Sequence, residues 1–175
     1  MTKIKRIGVL TGGGDCSGLN AVVRAVTLTA INKYGCEVIG FKKGYAGLYA
    51  NNYMQLTAEN TTNILNQGGT ILKNSNKDNL FNYAYRDENG NIQHKDVSDV
   101  AVENLKNLEI DALVVIGGDG TLTSARDFAR KGVRVIGVPK TIDNDVSYAD
   151  ITFGFTTALG VICEAVDRVR TTAFS

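Results

Sequence analysis

Two short stretches hold carboxylates in settings suited to polyphosphate chemistry. In 112–125, ALVVIGGDGTLTSA, one acid, Asp119, stands among Gly117, Gly118 and Gly120, and Thr121 opens a stretch of helical spacing. Glycines let a backbone approach an anion closely, and the free N–H groups of a helix start point at it. A carboxylate there suits the Mg²⁺ that a phosphate carries. In 140–145, KTIDND, Asp143 and Asp145 stand two residues apart. Along an extended loop alternate side chains share a side, so both would face one ligand. Phosphoryl transfer needs a metal and N–H groups to hold the charged phosphates, and a base to take a proton from the attacking hydroxyl. The single histidine, His94, lies in a polar tract and reads as an exposed residue. An Asp is a suitable base, and a general base contributes typically ~10²–10⁴-fold in rate. The two carboxylates of KTIDND offer one base and one metal partner. Each motif alone also fits a solvated Asx turn, so the case rests on their being brought together.

The elements around these motifs alternate. The apolar run at 112–116 reads as a buried strand before the GGDG loop. A second corner of the same kind has a strand over 6–10, the loop Thr11-Gly12-Gly13-Gly14-Asp15 and a helix over 20–34. A strand over 37–41 precedes a Gly44-Tyr45-Ala46-Gly47 turn, and a polar helix is expected from Thr57 to about Gly68-Gly69. A short strand is expected at 70–72. The segment 73–96 is rich in Asn, Asp and Lys, and Asn89-Gly90 sits between Tyr83-Ala84-Tyr85 and Ile92, which predicts an exposed β hairpin. Ser98 reads as the cap of a helix that carries Val102, Leu105 and Leu108 on one face. A strand over 134–138 ends at Pro139, the only proline, and a helix covers 156–169. Alternation of this kind predicts an α/β fold, a doubly wound and mostly parallel sheet with helices on both faces. Ligands in such folds sit beyond the carboxyl ends of the strands, where all three polar loops fall.

Composition narrows the classes. The 175 residues suit one α/β domain; 43% are hydrophobic and 21% charged, as expected of a packed core. A net charge of +1 gives no basic surface for nucleic acid. No apolar run is long enough to span a bilayer. Only the five residues 7–11 precede the first glycines, too few for a signal-peptide core. Cys16, Cys36 and Cys163 lack metal-ligand spacing, and they suggest reduced thiols in the cytoplasm.

The segments VLTGGGDCSGLNAVVRA, GGTIL, DALVVIGGDGT, PKTIDND and TTALGVICEAVDRVRTTA resemble the N-terminal half of the 6-phosphofructokinase family, in consistent order from Ile7 to Ser175. The resemblance implies the phosphofructokinase fold and a glycolytic phosphotransferase that moves the γ-phosphoryl of Mg-ATP to the 1-hydroxyl of fructose 6-phosphate. By it, Asp143 matches the general base and Thr141 a residue that binds the substrate and the transferred phosphoryl group, with Ile142 between them on the substrate side. Asp119 matches a Mg²⁺ ligand and Asp145 a carboxylate near the metal. Gly14, Gly118, Gly120, Thr121 and Ser124 fall on the nucleotide-phosphate side, and Tyr45 matches a tyrosine near the base. Arg24 and Arg170 match two arginines of a bacterial effector site, where Leu28 replaces a third; surface ion pairing is the alternative for both.

Three features depart from the family pattern. Asn76 stands where an arginine contacts the transferred phosphates, with Lys73 or Lys77 to supply the charge without a guanidinium fork. Gly120 is the residue of ATP-using members, while Lys140 is typical of pyrophosphate-using ones, so both positions bear on donor choice and pyrophosphate stays open as the alternative donor. Family members also continue past the position of Ser175 with most of the sugar-phosphate site. The resemblance therefore implies an N-terminal fragment, inactive alone, with apolar surface for a second half to cover and a tetramer when intact. The remaining reading is a nucleotide-binding domain without turnover.

Overall fold

The computed structural model describes residues 4–75 and 79–175. The central strands are the β-branched runs: β1 (Arg6–Thr11), β2 (Glu37–Phe41), β6 (Ala112–Gly117) and β7 (Val135–Thr141). With β3 (Tyr53–Leu56) and β8 (Phe153–Gly154) they form one sheet in the order β3-β2-β1-β6-β7-β8. Every pairing is parallel except β2 with β3. A separate hairpin pairs β4 (Tyr83–Arg86) with β5 (Ile92–Lys95) across the Asn89-Gly90 turn, as expected.

Successive side chains of a strand face opposite sides, and the two sides carry different helices. Val9, Val38, Val114 and Ile116 pack with Leu19, Val22, Val23 and Ala30 of α1 (Leu19–Tyr34). Leu10, Ile39, Leu113 and Val115 pack against α2 (Tyr45–Tyr49), α3 (Ser98–Asn107) and α4 (Asp119–Arg130). The sheet is doubly wound, with helices on both faces. The last helix, α5 (Phe155–Ala173), buries none of its residues and leaves Val161, Ile162, Val166 and Val169 exposed.

Several local expectations change. The segment 57–69 is a run of turns, not a helix. Its Thr and Asn side chains take the backbone groups a helix would use: Thr57 N–H donates to Asn60 Oδ1 (2.9 Å), and the Thr61 hydroxyl to the Thr57 carbonyl (2.6 Å). The stretch 70–72 is a turn closed by Lys73 N–H on the Thr70 carbonyl (3.0 Å), not a strand. The expected turn at 44–47 leads into the short helix α2. The sheet gains β3 and β8, which were not expected. Ser98 does not cap α3. Its own N–H (2.8 Å) and hydroxyl donate to Asp96, and these bonds hold the Asp96 carboxyl below its usual range. Pro139 does not end β7. The Arg134 carbonyl accepts from Leu113 of β6, so by alternation the Pro139 nitrogen faces the other side, where β8 first pairs at Lys140, and the ladder to β6 is kept.

Phe128 is fully buried, stacked on Tyr45 (5.6 Å between centroids) and edge-on to Phe81 (4.9 Å). It fixes α4 against the sheet. Phe128→Ala is expected to cost about 3–5 kcal/mol of unfolding free energy. A denaturant midpoint close to the parent value would show that the site collapses around the smaller side chain.

Candidate active site

The order of the sheet reverses between β1 and β6. The chain leaves β1 toward β2 on one side, and β7 lies on the other. Such a switch point opens a crevice beyond the carboxyl ends of the strands. The two strand ends are tied by Gly12 N–H donating to the Ile116 carbonyl (2.9 Å). The side chain of Thr121 fills the space that a Cβ at Gly12 or Gly117 would take, 2.7 and 2.5 Å away. Glycine at both positions is what lets α4 begin directly against the strand ends.

A cavity of about 540 Å³ occupies this crevice. Gly13, Gly14, Asp15 and Cys16 of the first loop form one wall, and Gly118, Asp119, Gly120, Thr121 and Ser124 another. Lys140, Thr141, Ile142 and Asp143 close the third side, with Tyr45 beneath. The GGG, GGDG and KTIDND loops, far apart in sequence, thus meet at one place.

Most of the expected residues converge there. Asp145 does not line the cavity. Asn144 has a left-handed backbone (φ 53), so the segment is not extended and the two-residue alternation fails. Lys77 and Asn76 lie outside the described residues. Lys73 is exposed, and its carbonyl accepts from the Thr11 hydroxyl (3.2 Å). The Arg24 guanidinium donates to the Thr61 carbonyl (2.6 Å) and makes no ion pair among the described residues, and Arg170 stands exposed on α5. Asp15, Cys16, Ser75 and Asn79 also line the cavity and were not singled out. Asp15 follows the glycine run directly, whereas nothing local marks the other three.

The polar groups of the cavity divide into free and committed ones. No side chain caps α4, so the N–H groups of its first turn are open to an anion. A Cβ added at Gly14 or Gly120 would meet nothing within 4 Å, so both glycines leave space above the backbone where phosphates would lie. The Thr141 hydroxyl accepts from Asp143 N–H (3.1 Å) and donates to Asp143 Oδ2 (3.4 Å), which aims that carboxylate. Thr152 in turn anchors Thr141 by donating to its carbonyl (2.8 Å). The Tyr45 hydroxyl is spent on the Thr121 carbonyl (2.9 Å), and burial pushes its ionisation far upward. The Ser124 hydroxyl donates to the Gly120 carbonyl (3.3 Å). The Cys16 thiol is also raised, by burial first, with Lys140 opposing.

Mg²⁺ bound to a polyphosphate needs only one or two protein carboxylates. The described residues hold no group of three metal-ligating side chains, but Asp119 and Asp143 both face the cavity beside the uncapped N–H groups. That donor set fits a phosphate-borne cation better than a caged one.

Fold and site together define a doubly wound α/β protein whose switch-point cavity is lined by two glycine loops, the acids Asp119 and Asp143 and an uncapped helix start. The chain belongs to the phosphofructokinase family, whose model matches residues 6–175. It is 67% identical over its whole length to an ATP-dependent 6-phosphofructokinase 2 of Clostridium perfringens, of which it covers 48%. It is 51% identical to one of Streptomyces coelicolor, with 97% of this chain and 46% of that one aligned. The crystal structure of Pichia pastoris phosphofructokinase in the T-state superposes on 97% of this chain and 18% of its own, at 33% identity and a TM-score of 0.80. The chain spans about half the length of the curated relatives it matches.

Proposed function

We propose that this chain supplies the phosphoryl-donor side and the base of an ATP-dependent 6-phosphofructokinase, which transfers the γ-phosphoryl of ATP to the 1-hydroxyl of fructose 6-phosphate. The observation that carries this reading is the meeting of Gly14, Asp119 and Asp143 on one cavity at the switch point. The ATP-dependent names of two relatives at 67% and 51% identity favour ATP as donor.

Each residue then has a task. The open N–H groups of α4 hold the donor phosphates, and the bare backbone at Gly14 and Gly120 lets them approach. Asp119 holds the donor's Mg²⁺, which when bound neutralises phosphate charge during transfer. Asp143, aimed by Thr141, takes the proton from the sugar hydroxyl as the new P–O bond forms. Thr141 and Ile142 flank the incoming sugar. The protein works in the cytoplasm, as a homo-oligomer, a tetramer by family resemblance, when of the relatives' length.

The test is a coupled assay for fructose 1,6-bisphosphate on a chain extended to the relatives' length. Activity with Mg-ATP above that with pyrophosphate is expected, and none or a trace from the 175 residues alone, because they span only about half the length of the relatives. Faster turnover with pyrophosphate would transfer the assignment to a pyrophosphate-dependent phosphotransferase, the reading that Lys140 favours. Binding of Mg-ATP without turnover in the extended chain would leave a nucleotide-binding module.

A further inference from the structure

Among the described residues, Lys140 is the one charged side chain that lines the cavity and is almost wholly buried, at 4% exposure. Its ammonium does not reach into open space; it donates to the Gly14 carbonyl (2.7 Å). The same carbonyl accepts from Asn74 Nδ2 (3.2 Å), and the neighbouring Gly13 N–H donates to the Ser75 carbonyl (3.2 Å). Among the described residues Asn74 Oδ1 is buried without a partner, so the Asn74 amide serves there through its donor. Two donors, 60 and 126 residues along the chain from Gly14, therefore converge on one oxygen of the glycine loop.

A peptide unit is planar, and its C=O and N–H point in opposite directions when trans, as the described peptide bonds are. Turning the Gly14 carbonyl toward the buried ammonium turns the Asp15 N–H the other way. That N–H meets no acceptor among the described residues, and Asp15 lines the cavity. We propose that Lys140 is a positioning residue: with Asn74 it fixes the Gly14–Asp15 peptide so that the Asp15 N–H faces the donor phosphates, and it does not touch the donor itself. Burial holds the Lys140 ammonium below its usual range, as expected for a charge spent on a carbonyl and not on a carboxylate. The proposal rests on the phosphoryl-donor reading of this cavity. It assigns the residue that bears on donor choice a way to act at a distance, through backbone orientation.

The experiment is a double-mutant cycle in the chain of the relatives' length, with Lys140→Met, Asn74→Ala and the pair. Methionine keeps the buried shape, and Asn74→Ala is a mild second route should Lys140→Met fold poorly. For Lys140→Met the KM for ATP should rise about tenfold, the scale of losing one charge-assisted hydrogen bond, with kcat changed far less. The pair should be little worse than Lys140→Met, because both donors act on one carbonyl. Effects that multiply independently, or an unchanged KM in Lys140→Met, would overturn the proposal. Absence of ATP turnover in the parent chain would instead sink the functional reading. In that event the same cycle read by Mg-ATP binding still decides the role of Lys140, since independent losses of affinity would refute it.

Discussion

Asp143→Asn, made in a chain of the relatives' length, is expected to lower kcat by about 10²–10⁴-fold. The KM for ATP should stay close to the parent value. The substitution is nearly isosteric. An asparagine carbonyl can still accept from the Thr141 hydroxyl, and the backbone N–H at this position still donates to Thr141 Oγ1, so the local turn survives. What is lost is the ability to take a proton. In free energy the effect corresponds to roughly 3–5 kcal/mol of transition-state stabilisation, borne by the chemical step and not by donor binding. Asp145→Asn is the comparison. Since Asp145 does not line the cavity, its change should be much the smaller of the two. Equal losses at both positions would mean that the 142–152 loop rearranges when substrate binds. Near-normal turnover in Asp143→Asn would remove it as the base.

The contrast between these neighbouring acids shows where sequence pattern stops being informative. The strands β1 and β6 were legible because a buried parallel strand is an unbroken apolar run, and their glycine loops because a corner at a switch point admits no Cβ. Asp119, Asp143 and the glycines could therefore be assigned to one sheet edge, because each of their loops follows the carboxyl end of a strand. Asp145 could not, since its direction hangs on one left-handed residue, Asn144, and asparagine adopts that conformation without announcing it. The turns over 57–69 escaped for a related reason. Helical composition was present, but Thr57, Asn60 and Thr61 spend their side chains on the local backbone. The roles of Asn74 and Lys140 were out of reach because each is defined by the Gly14 carbonyl, 60 and 126 residues away. Spacing within a motif cannot report a partner at that distance.

Gly120→Asp tests the donor assignment most sharply, and its fold-level cost is expected to be small. The Cβ position at Gly120 is open, and an aspartate in the first turn of a helix is favourable to the helix dipole. The new carboxylate would project into the space assigned to the donor phosphates and compete for the same N–H groups. Like charges brought together at a recognition site cost several kcal/mol, so the KM for ATP should rise by about 10²-fold or more. Pyrophosphate is smaller and carries no nucleoside that must pass this position, so its use should fall less or improve. Thermal midpoint and cofactor-free oligomeric state should match the parent and separate the effect from misfolding. An ATP KM unchanged by the new charge would place the donor phosphates away from Gly120. The cavity wall built by α4 would then hold something other than the transferred group.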